Sequence, residues 1–293
     1  MKQALCVARH DVAETIKREC SWPDGDAFKV YNPEQPLTVL TPIPEPFLQT
    51  CQTSLLNREW CETNPTYLQL LPYIVLLSED GIFMYRRGKG GKEDRLHDLY
   101  SIGVGGHIEE QSVQIEGVEN TFYDEENDVV IDETTPIVIA ETIRRELQEE
   151  VGIVMTSGEL HALLQHIDHL WWLYSDKDQV GSVHLGLTIG MIFDKERFGQ
   201  SEKGVILEGR FVTIDDIKEG GYKLEQWSQL LVDRLDEERK DDDEICYEEQ
   251  FTFLNFSPRY SSIDTVEDVN VFHTQESLQD FAPVEVGSDS DEA

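Results

Sequence analysis

The segment TPIVIAETIRRELQEEVGI, residues 135–153, constrains this chain more than any other stretch. Ile139, Ile143 and Leu147 recur every four residues, which lines one face of an α-helix and predicts a buried stripe. Thr135 or Pro136 supplies a start, because proline suits the first helical turn, and Gly152 supplies a stop. Beside the stripe, Glu146, Glu149 and Glu150 project together, since residues three and four apart share a helix face. Carboxylates so placed repel one another. Two arrangements relieve that repulsion. In one, Arg144 and Arg145 form salt bridges on a solvated face. In the other, a hard divalent cation such as Mg²⁺ takes the oxygens as ligands.

Other elements are legible around this helix. LPYIVLLSEDGIFMYRR, residues 71–87, reads as two strands about a Glu-Asp-Gly turn, a β-hairpin. A Gly/Lys-rich loop, GKGGKEDRLHDLY, leads to SIGVGGHIEE. ELHALLQHID, VGSVHLGLTIGMIF and VILEGRFVTI read as apolar, strand-like segments. DDIKEG fits a short helix. YKLEQWSQLLVDRLDEERK fits an amphipathic helix with Leu224, Trp227, Leu231 and Leu235 on one face.

The flanks read differently. Residues 1–65 carry many turn signals, as in WPDGDAF and NPEQPLTVLTPIPEPF, and are expected to be an irregular N-terminal extension with a few short elements. Residues 66–240 form the main domain. It is interrupted at about 110–136 by an acidic stretch without clean periodicity, in which VVI is a candidate short strand. Residues 241–293 form an acidic tail expected to be partly disordered. FTFLNF, residues 251–256, is its exception, a candidate to dock on the domain. No internal repeat is present.

Composition narrows the function. The chain carries 24 basic and 59 acidic residues, a net charge of −35, which repels nucleic-acid phosphates and anionic membranes. A salty cytosol favours such acidity, and the acidic tail accounts for part of it here. A small phosphorylated substrate stays compatible if a cation or a basic cluster offsets the field. No apolar run reaches the roughly 18 residues of a membrane-spanning helix. The N-terminus lacks a signal-peptide pattern, so a cytoplasmic location is expected. The five cysteines, Cys6, Cys20, Cys51, Cys61 and Cys246, are odd in number and include no CxxC pair. That argues against a disulfide framework and a thiolate zinc site, and for reduced structural thiols.

RELQEEVGI, residues 145–153, matches residue for residue the second half of the Nudix box, R-E-U-x-E-E-x-G-U, where U is a bulky aliphatic residue. GVGGHIE, residues 103–109, resembles its glycine-rich first part. YIVLL, MYRRGKGGKEDRLHDLYSIGVGGHIE and VGSVHLGL resemble a MutT-type phosphoesterase subgroup of that family, and the likeness extends over residues 67–240. The resemblance implies an α/β/α sandwich with a mixed β-sheet, the box forming a loop–helix–loop. It also implies hydrolysis of a nucleoside diphosphate linked to another moiety, with Mg²⁺ or Mn²⁺. The box is split. In the family pattern G-x5-E-x7-R-E, the first glutamate would fall at Ser112 counted from Gly106, or at Ile137 counted back from Arg145. Glu109, Glu110 and Glu133 are candidate substitutes.

By this resemblance, Glu146, Glu149 and Glu150 are metal ligands, joined by a main-chain carbonyl of Gly105 or Gly106. Arg145 orients a glutamate, and Glu146 and Glu149 carry the catalytic role with it. Arg86, Arg87, Lys89, Lys92 and Arg95 form the densest basic cluster and are candidates to grip phosphate. His107 and His184 are candidates for substrate contact or proton transfer. Glu208 is a candidate auxiliary ligand or base, with Asp168 and Asp194 behind it. Trp171, Trp172 and Tyr174 suit either base stacking or a core. The expected partner is a small-molecule nucleotide, with no nucleic acid and no membrane, and homodimers are common among such proteins. The alternative is a catalytically silent Nudix-fold sensor or interaction module. An isoprenoid diphosphate isomerase shares the fold but needs an acid that SIGVGGHI, with no cysteine, does not supply.

Overall fold

The structure is a computed structural model. It describes residues 2–19, 37–44, 47–89, 96–109, 123–124, 129–130, 135–177, 180–199, 206–240, 251–257 and 271–273. Its centre is the twelve-residue strand β4 (Tyr67–Ser78). The remaining strands are β1 (Gln3–Ala8), β2 (Thr38–Pro42), β3 (Thr53–Asn57), β5 (Gly81–Arg87), β6 (Tyr100–Ser101), β7 (Gly103–Val104), β8 (Tyr123–Asp124), β9 (Val129–Val130), β10 (Trp171–Ser175), β11 (His184–Ile192), β12 (Ile206–Val212), β13 (Phe253–Asn255) and β14 (Val271–His273). The helices are α1 (Arg9–Glu19), α2 (Phe47–Thr50), α3 (Arg58–Cys61), α4 (Thr135–Val151), α5 (Ser157–Gln165), α6 (Ile214–Glu219) and α7 (Gln226–Glu238).

One mixed sheet runs β14-β13-β11-β4-β1-β3-β9-β8, with β10, β2, β5, β6, β7 and β12 paired off that path. β11 lies parallel to β4 from His184↔Gln69 to Ile192↔Leu77. β4 and β5 form the expected hairpin, paired antiparallel at Leu77↔Ile82 and Ser78↔Gly81.

Side chains alternate across a strand with period two, and this divides the core into two layers. Leu68, Leu70, Ile74 and Leu76 of β4 face one cluster, with Trp172 and Tyr174 of β10 and Ile139, Ile143 and Leu147 of α4. Tyr73, Val75 and Leu77 face the other, with Trp171 and Leu173 of β10 and Leu231, Val232 and Leu235 of α7. Helices thus cover both faces of a mixed sheet. Trp171, Trp172 and Tyr174, read from the sequence as either stacking or core residues, are at most 2% exposed and belong to the core.

The segment before residue 66 departs from the irregular extension expected of it. β1 is an inner strand, antiparallel to both β3 and β4. Leu5 and Val7 are fully buried in the first cluster, together with Val12 and Ile16 of α1. At the other end FTFLNF docks as anticipated, because β13 adds parallel to β11 and buries Phe251, Phe253 and Leu254. Of the 110–136 segment, β8 and β9 pair with each other, and β9 pairs with β3 at Thr53↔Val130.

ELHALLQHID is a helix, α5, where a strand was expected. Thr156 caps it: its side chain accepts from the Glu159 N–H, while the Glu159 carboxylate accepts from the Thr156 N–H. This reciprocal box satisfies two donors that the first helical turn otherwise leaves unpaired. Leu160, Leu163 and Leu164 then face the core at helical spacing.

A buried polar knot joins β4 and the β6–β7 segment to the start of α7. Tyr73 Oη donates to Glu225 Oε1 at 2.7 Å and lies 2.8 Å from Ser228 Oγ, while Ser101 Oγ donates to the same Glu225 oxygen at 2.7 Å. Ser228 Oγ in turn accepts from the Ile102 N–H at 2.9 Å. Burial and the neighbouring Glu225 carboxylate push the Tyr73 hydroxyl well above its ordinary range. Cys6, Cys51 and Cys61 are buried thiols, and Cys20 and Cys246 lie outside the described residues. Among the described residues no helix is long and apolar enough to cross a membrane.

Candidate functional site

The stripe of α4 fixes where its glutamates point. With Ile139, Ile143 and Leu147 fully buried against the sheet, the flank carrying Glu146, Glu149 and Glu150 turns toward the glycine-rich loop after β7. The helix stops where the sequence placed its stop. Gly152 has φ +71°, and a Cβ there would meet the Cα of Gly199 at 2.7 Å, so the position needs glycine for both conformation and space. The last turn of α4 contains no basic residue. Its carboxylates therefore sit at the negative end of the helix dipole, an arrangement that costs roughly 0.3–1 kcal/mol per charge. Helix stability alone does not account for them.

The loop comes close enough to be part of the same site. A Cβ on Gly106 would stand 2.7 Å from Glu146 Oε1, so the main chain of the loop lies directly against that carboxylate. The Gly105 N–H donates to Glu150 Oε2 at 3.2 Å. Arg145 binds the arrangement together: it pairs with Glu146 Oε1 at 2.8 Å and Glu149 Oε2 at 3.0 Å, and donates to the His107 carbonyl at 3.2 Å. Glu146 is 7% exposed. Burial pushes its carboxyl up to about 7; Arg145 opposes the rise and Glu149 adds to it.

Comparisons with known proteins bear on the fold that carries this arrangement. Protein YmaB of Bacillus subtilis is 28% identical over 187 residues, covering 62% of this chain and 77% of its own. The crystal structure of Tm1382, named as a candidate Nudix hydrolase, superposes with a TM-score of 0.51 and 19% identity, over 80% of this chain and 97% of that one. This chain has a Nudix-type fold. A scan against models of protein families found no match.

In this Nudix-type frame the basic residues sit along β5. Arg86 pairs with Asp98 and with Glu208, each at 2.6 Å. Glu208 has φ +53° at the irregularity in the β12–β5 ladder, and it is exposed beside Arg86 rather than directed at α4 by any described contact. Arg87 pairs with the buried Glu225 at 3.1 Å. Burial works against the Arg87 charge, but Tyr85, Glu225 and Glu150 favour it and hold the group above its ordinary range. Through Glu150, Arg87 is thus electrically tied to the α4 face. Lys89 is exposed, and Lys92 and Arg95 lie outside the described residues.

Of the candidate substitutes for the first box glutamate, Glu109 lies 3.3 Å from Lys2 Nζ and 3.8 Å from Arg58 Nη1. Glu110 and Glu133 are outside the described residues. Asp194 accepts from Ser257 Oγ, which anchors the segment holding β13, and Asp168 lies in the short turn after α5.

His107 and His184 are brought together, their Nε2 atoms 3.3 Å apart. Glu62, at the C-terminal end of α3, joins them. Among the described residues this is the one set of three His, Cys, Asp or Glu residues whose ligand atoms all lie within 4.8 Å of one another. Glu146, Glu149 and Glu150 are more widely spread. No spacing in the sequence announces the Glu62 cluster, because its members come from three separate parts of the chain.

Proposed function

We propose that this chain hydrolyses a diphosphate linkage in a nucleoside diphosphate derivative with a divalent cation, Mg²⁺ or Mn²⁺, held by Glu146, Glu149 and Glu150 and a glycine-loop carbonyl. What carries the reading is the join between α4 and the glycine-rich loop. A buried, energetically costly Glu146 lies against Gly106, Glu150 lies on the Gly105 N–H, and one arginine clamps two of the glutamates. The likeness of the fold to Tm1382 supports it.

The donor set fits the ion. All the candidate ligands are oxygens, as hard cations prefer. Their spread means that one ion takes one or two of these carboxylates directly and completes its shell with waters and substrate phosphates, as Mg²⁺ commonly does. When bound, the ion supplies Lewis acidity and offsets the negative field that a chain of charge −35 presents to a diphosphate. The chain's own residues do the rest. Arg145 fixes the orientation of Glu146 and Glu149. A carboxylate on this face accepts the proton of the attacking water, a role that calls for a group within hydrogen-bond reach. Arg86, Arg87, Lys89 and Arg95 receive the substrate phosphates, Arg87 and Arg86 by exchanging their carboxylate partners for phosphate oxygens.

A nucleotide library incubated with Mg²⁺ or Mn²⁺, with phosphate release read after a coupling phosphatase, tests the reading. Turnover confined to one class of diphosphate derivative supports it and names the substrate. The split box favours a second reading, a nucleotide sensor without turnover. Metal-dependent ligand binding with no product would select it.

A further inference from the structure

The convergence of side chains on His184 Nε2 points to a second cation site, of different chemistry from the α4 face. His184 opens β11 and is 3% exposed. Its Nδ1 lies 2.8 Å from the Val180 carbonyl oxygen, which can only accept, so Nδ1 carries the proton and Nε2 presents its lone pair. Three groups crowd that lone pair. His107 Nε2 is 3.3 Å away, Gln69 Nε2 is 3.1 Å away, and Glu62 Oε1 is 3.9 Å away. One in-plane lone pair accommodates one good hydrogen bond, so the three are more than a hydrogen-bond network requires.

The distances suit a small tetrahedral ion. Two imidazole nitrogens bound at 2.0–2.1 Å to one such ion stand about 3.3–3.4 Å apart, which is the His107–His184 separation. The two rings meet edge to face at 79°, so their nitrogens converge while the rings do not stack. Gln69 is fully buried, and its amide reaches to 3.1 Å from His184 Nε2. A half-turn of the terminal amide exchanges its oxygen and nitrogen and presents the oxygen to the point of convergence. The Val180 carbonyl already serves as the outer partner that metal-binding imidazoles usually have.

We propose that Glu62, His107 and His184, with Gln69 as a fourth donor, form a site for an imidazole-preferring divalent cation of the zinc class. Two nitrogens and one or two oxygens select against Mg²⁺ and Ca²⁺, which take oxygen shells. The ligands lie on the end of α3, the glycine-rich loop, β4 and β11. A bound ion would staple the N-terminal segment and the loop to the sheet, behind the surface that Gly106 and the His107 carbonyl present to Glu146 and Arg145. The proposal does not depend on the hydrolase reading.

The test is a cobalt titration of the full-length, chelator-stripped protein in excess Mg²⁺, followed by visible absorption. One equivalent of Co²⁺ should give the intense band of four-coordinate cobalt, abolished by one equivalent of Zn²⁺. His184→Ala, and the milder His107→Gln at a half-buried position, should each weaken cobalt binding by at least about tenfold. The Glu149→Gln/Glu150→Gln variant should keep the band. No four-coordinate band in the wild type overturns the proposal, as does a band that survives both histidine variants or one lost with the glutamates. Thiolate-to-cobalt charge transfer would also overturn it, because it would place the ion on Cys6 and Cys61, whose sulfurs are 3.6 Å apart. None of these readouts requires turnover, so failure here is distinct from failure of the hydrolase reading.

Discussion

Glu146 should destabilise the metal-free protein, and its replacement should make that protein more stable. Its carboxyl rises from an ordinary 4.5 to about 7, burial being the main cause. The folded state therefore holds a proton more tightly than the unfolded chain. Below pH 4.5 both states are protonated and the site costs nothing. Between 4.5 and about 7 the folded protein loses stability as pH rises, and above 7 the whole penalty is present. At roughly 1.4 kcal/mol per pH unit, that penalty is about 3 kcal/mol. Glu146→Gln keeps the shape and removes the charge. In chelator, urea unfolding should show the variant more stable than wild type by up to about 3 kcal/mol at pH 8, with the difference closing toward pH 4.5. Saturating Mg²⁺ should narrow the gap at pH 8, because a ligand at 100 times its Kd stabilises the wild type by about 2.7 kcal/mol. A variant less stable than wild type in chelator at pH 8 would refute the reasoning. The Arg145 pairing would then outweigh the burial of the charge, and the glutamate would be a structural ion pair.

Other consequences follow from particular contacts. Gly106→Ala should lower hydrolysis with little change in secondary structure by circular dichroism, because the added methyl falls 2.7 Å from Glu146 Oε1 and must displace that carboxylate; unchanged activity would place the loop elsewhere. Leu5→Ala should cost about 2–5 kcal/mol in urea unfolding if β1 is an inner strand, and under about 0.5 kcal/mol if residues 1–65 are an appendage. Tyr73→Phe should cost about 1–3 kcal/mol by the same measurement, since it leaves the buried Glu225 short of a donor.

Much of the fold was legible because periodicity is local. The β4–β5 hairpin, α4 with both of its ends, β11, the two C-terminal helices and the docking of FTFLNF each declare themselves within about 20 residues. The N-terminal strand does not. LCVA is a short apolar run with no alternation, as expected of a strand buried on both faces, and its partners β3 and β4 are far along the chain. In ELHALLQHID the apolar content suits a strand or a helix, and the Thr156/Glu159 box that caps a helix decides between them. In the site, the glutamates and glycines could be named because one helix and one loop carry them. Glu62 and Gln69 could not, since only the parallel β4–β11 register and the end of α3 bring them to His184. Nor does sequence show that Arg86 and Arg87 already hold carboxylates.

The central claim is that the α4 glutamates hold the ion that the reaction uses. It is tested most directly by steady-state hydrolysis of the preferred substrate from the nucleotide screen, comparing wild type with Glu149→Gln/Glu150→Gln across a Mg²⁺ titration. The account predicts activity that rises with Mg²⁺ in the wild type and falls on the order of a thousandfold or more in the variant at every Mg²⁺ concentration. Equal rates in the two proteins, or a wild-type rate indifferent to Mg²⁺, would contradict it.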